Sequence, residues 1–288
     1  MYRIKVAATS ANLGPGFDSL GLALNLYNSF IFKEVDGLEL LGFDREFSNK
    51  NNLVYLAMKK TFEKIEFEPR GVRIEADIQI PISRGLGSSA SCIVAGIIGA
   101  SLLAKRQLDE GEILDLAVGI EGHADNVAGA LLGGLVVSLM DDELVYSRHE
   151  VGEDLIFLAL VPDYKVSTQK AREVLPEKVD FKEVLSNISR VSLLMSALLE
   201  KRYDLLKYAL VDKVHEPYRK ELVKDYDRLR KLALDEGALG VYLSGAGPTI
   251  MCLLDEDNLD FKNRIKAELA PGWQVLELRA TNQALLVG

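Results

Sequence analysis

The spacing of apolar and polar positions changes period several times along the chain, and each change predicts a new element. Tyr2 to Ala8 alternate weakly and predict a strand; Thr9 to Ser19 are rich in Gly, Asn and Pro and predict a turn; LGLALNLYNSFIFKEV predicts further sheet. LVYLAMKKTFEKI has helical spacing with Lys and Glu on its outer face, and GVRIEADIQIPI alternates as a strand. That strand runs into IPISRGLGSSASCIVAGIIGASLLA (residues 80–104), a glycine-rich turn followed by a helix of small and apolar residues, in which Gly96 and Gly99 let a neighbour approach closely. DEGEILDLAVGIEG from Asp109 to Gly122 predicts an amphipathic helix, NVAGALLG a short one, and GGLVVSLM a strand.

The second half begins near Val151 with DLIFLALVPDY, a buried-strand pattern. A helical turn follows in KVSTQKAREVLP, then helices over residues 181–212, a charged amphipathic helix from Arg219 to Glu236 and another from Asn258 to Leu269. GVYLSG, PTIMCLLD, WQVLELRAT and NQALLVG read as strands, with a sharp SGAGPT turn, suited to a hairpin, between the first two. The charged segment Asp141 to Asp154 is the best boundary, which divides the chain into 1–150 and 151–288.

Composition narrows the partners. A chain of 288 residues that is 48% hydrophobic can bury a substantial core. It carries 34 basic and 43 acidic residues, a net charge of -9, with both signs mixed and no basic block, which argues against nucleic acid or an anionic membrane as the main partner. The helix after the glycine-rich turn is too short and too rich in Ser and Gly to span a bilayer, and MYRIKVAA has none of the features of a signal peptide. Cys92 and Cys252 each sit among apolar residues and read as free thiols, which suits a reducing cytoplasm.

The chemistry concentrates at the glycine-rich turn. Gly85 and Gly87 admit backbone conformations closed to residues with a Cβ, and Ser88 to Ser91 open a helix whose first N–H groups lack internal partners. Such a helix start favours a phosphate, and a hydroxyl of Ser88 or Ser89 can reach the phosphate or its Mg²⁺. An ordinary serine-capped turn is the alternative. No lysine follows the last glycine, so this is not a Walker A loop, and the third glycine of a dinucleotide fingerprint is missing.

Pro81, Gly85, Leu86, Gly87, Ser88, Ser89 and Ala90 fall on the PxxxGLGSSA pattern, and VAATSANLGPGFDSLGLAL and LSGAGPT lie before and after it. In this order the three stretches resemble the GHMP kinase superfamily over essentially the whole chain. The NLGPGFDSLGLAL form and EGHADN (Glu121 to Asn126) resemble the branch that phosphorylates L-homoserine. The resemblance implies an α+β, two-domain GHMP kinase fold: a ribosomal protein S5 domain 2-like N-terminal half with a left-handed βαβ crossover before the loop, a ferredoxin-like C-terminal half, and the site between them. It implies ATP and Mg²⁺ as cofactors, a product on the route to threonine, and a possible homodimer.

Residue by residue, the resemblance assigns ATP and its phosphates to Pro81, Ile82, Ser83, Arg84, Gly85, Leu86, Gly87, Ser88, Ser89, Ala90 and Ser91, with Asn52 and Val54 at the adenine; for Asn52 a helix cap is the equal alternative. It gives the metal to Ser89 and Glu121, with Asp115 as a rival. It gives the amino acid to Asn12, Asp18, Asn126, Thr168, Arg172, Arg219 and Gly245. An acidic side chain suits an ammonium group and two arginines suit a carboxylate, although Asn12 and Asp18 can also be turn formers and the arginines surface charges. Asp125 and Asn126 are the catalytic candidates. Counting back seven residues from Gly133, the spacing at which relatives carry a basic aspartate, reaches Asn126, which cannot accept a proton. On that reading Asn126 only orients the hydroxyl, and Asp125 either takes part or caps the next helix. His123 reads as structural. A kinase for another alcohol, or a nucleotide sensor without turnover, are the competing functions.

Overall fold

The computed structural model describes every residue except Leu259. The N-terminal part runs β1 (Tyr2–Ala11), β2 (Leu20–Glu34), β3 (Gly37–Leu41), α1 (Leu53–Lys64), β4 (Gly71–Asp77), α2 (Ser88–Leu103), α3 (Glu110–Glu121), α4 (Asp125–Leu132), β5 (Leu135–Met140) and β6 (Leu144–His149). The chain continues with β7 (Leu155–Pro162), α5 (Thr168–Glu173), α6 (Phe181–Leu199), α7 (Leu206–Ala209), α8 (Glu216–Arg219), α9 (Tyr226–Asp235) and β8 (Gly240–Leu243). It ends with β9 (Ile250–Asp255), α10 (Phe261–Glu268), β10 (Trp273–Arg279) and β11 (Leu285–Val287).

The first sheet has the order β11-β1-β2-β4-β3, with β5 pairing β2 and β6 pairing β5. All its pairs are antiparallel except β3 with β4, which run parallel because α1 crosses over between them. One face carries Ile4, Val6, Phe30, Phe32, Val72 and Ile74 into a core shared with α1 to α4. The small residues of α2 serve this packing: a Cβ on Gly96 would lie 2.4 Å from the Val54 carbonyl oxygen, and one on Gly99 would lie 2.8 Å from the Phe32 ring.

The second sheet, β10-β7-β9-β8, is wholly antiparallel. Taken with α9 and α10, its elements follow β7-α9-β8-β9-α10-β10, the ferredoxin-like order. Alternation along β7 divides its two faces. Leu158 and Leu160 meet α9 and α10, whereas Phe157, Ala159 and Val161 join a core that also holds Leu194 and Leu198 of α6 and Leu20, Leu22 and Leu24 of β2. The two sheets therefore share a core.

Four expectations shift. The charged segment 141–154, where no strand is expected, holds β6, an exposed edge strand whose polar composition hides its alternation. The strand expected over residues 71–82 stops at Asp77, since the chain then turns to let Asn28 accept the N–H groups of Gln79 and Ile80. The helix expected from Arg219 to Glu236 breaks: a 3-10 turn over Lys220–Leu222 leads to extended Val223, which is buried, and Asp225 lies at φ +59° before α9 begins. The helices expected over 181–212 are α6 and α7. Of the helix expected over 258–269, Phe261–Glu268 is helical, and Leu259 lies outside the described residues.

Candidate active site

The phosphate loop enters α2 with Gly85 at φ +75° and Gly87, the residue before the helix, at φ +69°, both in the left-handed region. No side chain caps this helix, so its first N–H groups remain open to an anion. Three successive loop carbonyls are tied to the scaffold instead. Thr249 Oγ1 donates to Arg84 O, Ser244 Oγ to Gly85 O, and Thr9 N–H to Leu86 O. The SGAGPT turn joins β8 to β9 and thus braces the loop from the other half of the molecule. Space is tight here: a Cβ on Gly85 would lie 2.2 Å from Ser244 O.

A cleft opens in front of the loop. It is lined by the loop from Ser83 to Ser89, by Asn12 and Asp18 of the β1–β2 turn, by Glu121, His123, Asp125 and Asn126 where α3 gives way to α4, by Thr168 and Arg172 of α5, by Arg219, and by Gly245 to Gly247. Most of the residues expected to act together therefore meet, although they are spread from residue 12 to 247.

At one end, Ser89 Oγ donates to Glu121 Oε2 at 2.7 Å. These are two hard oxygen donors beside the loop, of the kind that would suit Mg²⁺. Asp115 is exposed and does not line the cleft. Among the described residues no cluster of three or more His, Cys, Asp or Glu forms a closed metal site.

In the middle, Asp125 is 3% exposed, and its Oδ1 accepts from His123 Nδ1, from Asn126 N–H and from Asn126 Nδ2. The first of these bonds holds the His123 imidazole above its ordinary pKa. Asp125 is the first residue of α4 rather than its cap, which is Ala124. Asn126 Oδ1 accepts from Thr9 Oγ1 at 2.7 Å.

At the far end Arg172 makes two hydrogen bonds to Asp18, at 2.9 and 3.1 Å, in a half-exposed pair. Arg219 is buried, donating Nε to Ala171 O and an η nitrogen to Gly245 O, and among the described residues it forms no ion pair with a carboxylate. Burial pushes its pKa down to about 10, with Arg172 adding to the shift and Asp18 opposing it. The Phe17 ring lies under both guanidiniums, 4.8 Å from Arg219 and 5.8 Å from Arg172, and stacks on His215. His215 is fully buried and held below its usual pKa by desolvation. Beside it, burial lifts the Glu216 carboxyl to about 8.

Several expected ligands face elsewhere. Ala90 is fully buried, and Ser91 is too, donating to Ser88 O and accepting from Asn28. Arg84 lines the cleft, yet its guanidinium donates to Pro162 O, Ile82 O and Asp163 O and so ties the loop to the end of β7. Asn12 turns its amide to Asp18 N–H and Gly245 O, shaping the turn. Asn52 caps α1 by accepting from Val54 and Tyr55 N–H. It also borders a separate apolar slot, with Phe43, Phe47, Val54, Ile82 and Cys92, that adjoins the loop at Ser88 and Ser89. Pro81 and Ile82 lie on a neighbouring hollow rather than in the cleft. Thr9 and Phe17, both inside VAATSANLGPGFDSLGLAL, join the site without having been among the expected residues.

The class follows from fold and cleft together. Residues 52–134 match the GHMP kinases N terminal domain, and residues 194–269 match the GHMP kinases C terminal model. A homoserine kinase of Clostridium botulinum (strain Okra / Type B1) is 48% identical over 284 residues, 97% of this chain and 96% of that protein. The homoserine kinase of strain Alaska E43 / Type E3 is 46% identical, covering 100% of this chain and 98% of its own length. The crystal structure of homoserine kinase from Cytophaga hutchinsonii superimposes with a TM-score of 0.90 at 29% identity, covering 99% of this chain and 96% of that one. The chain belongs to the homoserine kinases of the GHMP kinase family.

Proposed function

We propose that this cleft transfers the γ-phosphoryl group of ATP to the side-chain hydroxyl of L-homoserine, giving ADP and O-phospho-L-homoserine on the route to threonine. The observation that carries the reading is the buried Arg219 guanidinium, which has no carboxylate partner among the described residues and sits beside the Asp18–Arg172 pair in a cleft that ends on a phosphate loop. A buried cation held only by carbonyls is incompletely compensated, and a bound carboxylate completes it. The α-carboxylate of the substrate meets Arg219 and Arg172, and its ammonium meets Asp18. A zwitterion brings both charges at once, so opening the internal ion pair leaves neither partner alone.

The donor binds with its phosphates on the open N–H groups at the start of α2 and its adenine in the apolar slot beside Asn52 and Val54. Thr168 and Gly245 border the amino acid. Ser89 and Glu121 would hold Mg²⁺, which when bound would neutralise charge on the phosphates. Asn126 orients the attacking hydroxyl. Asp125 keeps Asn126 and His123 in place through the three donors at its Oδ1, and the proton leaves to a phosphate oxygen or water as a loose transition state forms. Catalysis is then mostly positioning and electrostatics. Residues 1–150 supply the donor site and residues 151–288 most of the carboxylate clamp. We assign the enzyme to the cytoplasm, where a homodimer is compatible with the reading; among the described residues no helix is long and apolar enough to cross a membrane.

Truncated acceptors test the zwitterion requirement. L-homoserine is expected to turn over, while 4-hydroxybutyrate, lacking the ammonium, and 3-aminopropan-1-ol, lacking the carboxylate, fall at least ~100-fold in kcat/KM because each leaves one buried or half-buried charge uncompensated. Comparable rates with either fragment would reject the assignment of Asp18, Arg172 and Arg219.

A further inference from the structure

We infer that Thr9 is a positioning residue for phosphoryl transfer, holding the Asn126 amide and the phosphate loop in one register. The inference rests on the reading of Asn126 as the group that orients the attacking hydroxyl. Thr9 is fully buried in β1 and does not itself line the cleft.

The chemistry of its partners sets the direction of the hydrogen bond. Asn126 Nδ2 lies 3.3 Å from Asp125 Oδ1, and that oxygen already takes the His123 and Asn126 N–H groups. An ionised carboxylate only accepts, so the amide must turn its nitrogen toward Asp125. Its oxygen then faces Thr9, whose hydroxyl donates to it at 2.7 Å. An amide has two N–H donors and two acceptor lone pairs. With one of each used inside the scaffold, Asn126 keeps one of each for the cleft it lines. Without Thr9, the amide loses the partner that sets which of its ends faces the hydroxyl.

The same residue fixes the donor side. Thr9 N–H donates to Leu86 O, and its Oγ1 lies 1.9 Å from where a Cβ on Gly87 would sit. Its methyl packs toward α4, 3.1 Å from where a Cβ on Gly129 would sit. Thr9 is thus wedged between the start of α2, which receives the phosphate, and α4, which carries Asn126. A β-branched side chain is stiff about χ1, so these contacts lock together. In-line transfer depends on the distance and angle between hydroxyl and phosphorus, and a misplacement of about 1 Å can cost ~100-fold in rate.

The test is steady-state kinetics and thermal unfolding of Thr9→Val, Thr9→Ser, Asn126→Ala and the Thr9→Val/Asn126→Ala double variant. Val preserves the shape of Thr and removes only the donor. Thr9→Val is expected to lower kcat roughly 10- to 100-fold with KM for ATP and homoserine within about threefold, and Thr9→Ser to stay within about threefold of wild type in kcat. In the Asn126→Ala background the Val substitution adds no further loss, because the group it positions is gone. A merely structural Thr9 would lower stability without this split or this non-additivity. Wild-type kcat in Thr9→Val alongside an impaired Asn126→Ala overturns the inference and leaves the Asn126 reading standing, as does a multiplicative double variant. Wild-type kcat in Asn126→Ala overturns both. Should Thr9→Val not fold, Thr9→Ala against Thr9→Ser makes the same comparison.

Discussion

Replacing Arg219 with glutamine is expected to raise KM for L-homoserine about 100-fold or more while KM for ATP changes less than about threefold, because removing one partner of a buried, hydrogen-bonded charge pair costs roughly 2–5 kcal/mol. The reason lies in how this guanidinium is held. It is 2% exposed, among the described residues it bonds only to the carbonyls of Ala171 and Gly245, and the Phe17 ring lies 4.8 Å from it, so in the free protein its charge awaits a counter-ion. Arg219→Lys keeps a charge but loses the planar fork that matches a carboxylate, and it should recover little of the loss. Because Arg219 also braces Gly245, Arg172→Gln serves as the control. Arg172 is about 40% exposed, its only ion-pair partner among the described residues is Asp18, and its loss should raise KM without a large drop in Tm. Wild-type KM for homoserine in both glutamine variants would remove the carboxylate clamp from the account.

Glu121→Gln is expected to reduce kcat by roughly 1,000-fold, since on the proposed reading it would take a formal charge from the site for Mg²⁺, whose role would be to stabilise several kcal/mol of developing charge on the phosphates. Glutamine is nearly isosteric and its amide oxygen can still accept from Ser89 Oγ, so the fold should be unaffected. A readout independent of turnover is the Mg²⁺ concentration that half-saturates ADP binding in calorimetry, which should rise about tenfold or more when one of the two protein oxygens proposed for the metal loses its charge. Asp115→Asn is the contrast: this side chain is exposed and outside the cleft, so its replacement should leave both measurements unchanged. A silent Glu121→Gln with an impaired Asp115→Asn would move the metal to Asp115.

How far the sequence reveals this molecule depends on what each feature rests on. Periodicity located most elements, because α1, α2, α3 and the strands of the second sheet bury continuous stripes or alternating faces. It missed β6, whose side chains are largely exposed, and it did not foresee that β11 returns to pair with β1, since pairing partners so distant in the chain leave no local mark. The glycine-rich loop was legible in physical terms, as left-handed φ values and an uncapped helix start are local properties. The residues that meet it, from Asn12 to Gly245, were legible only through the family resemblance. Arg84 and Ser91 are loop members whose side chains bind the scaffold, and Asn12, which lines the cleft, also shapes the Asp18 turn, the alternative its residue type left open. Thr9 and Phe17 stayed hidden because a threonine in a strand and a phenylalanine in a turn have no chemistry of their own; their importance comes from Asn126 and the two arginines across the fold.

The most direct measurement of the central claim is coupled ADP release with Mg·ATP and a panel of L-homoserine, mevalonate, galactose and shikimate. The account predicts turnover with L-homoserine alone, because only that acceptor offers both a carboxylate for Arg172 and Arg219 and an ammonium for Asp18. Turnover with mevalonate, galactose or shikimate in place of homoserine would contradict it.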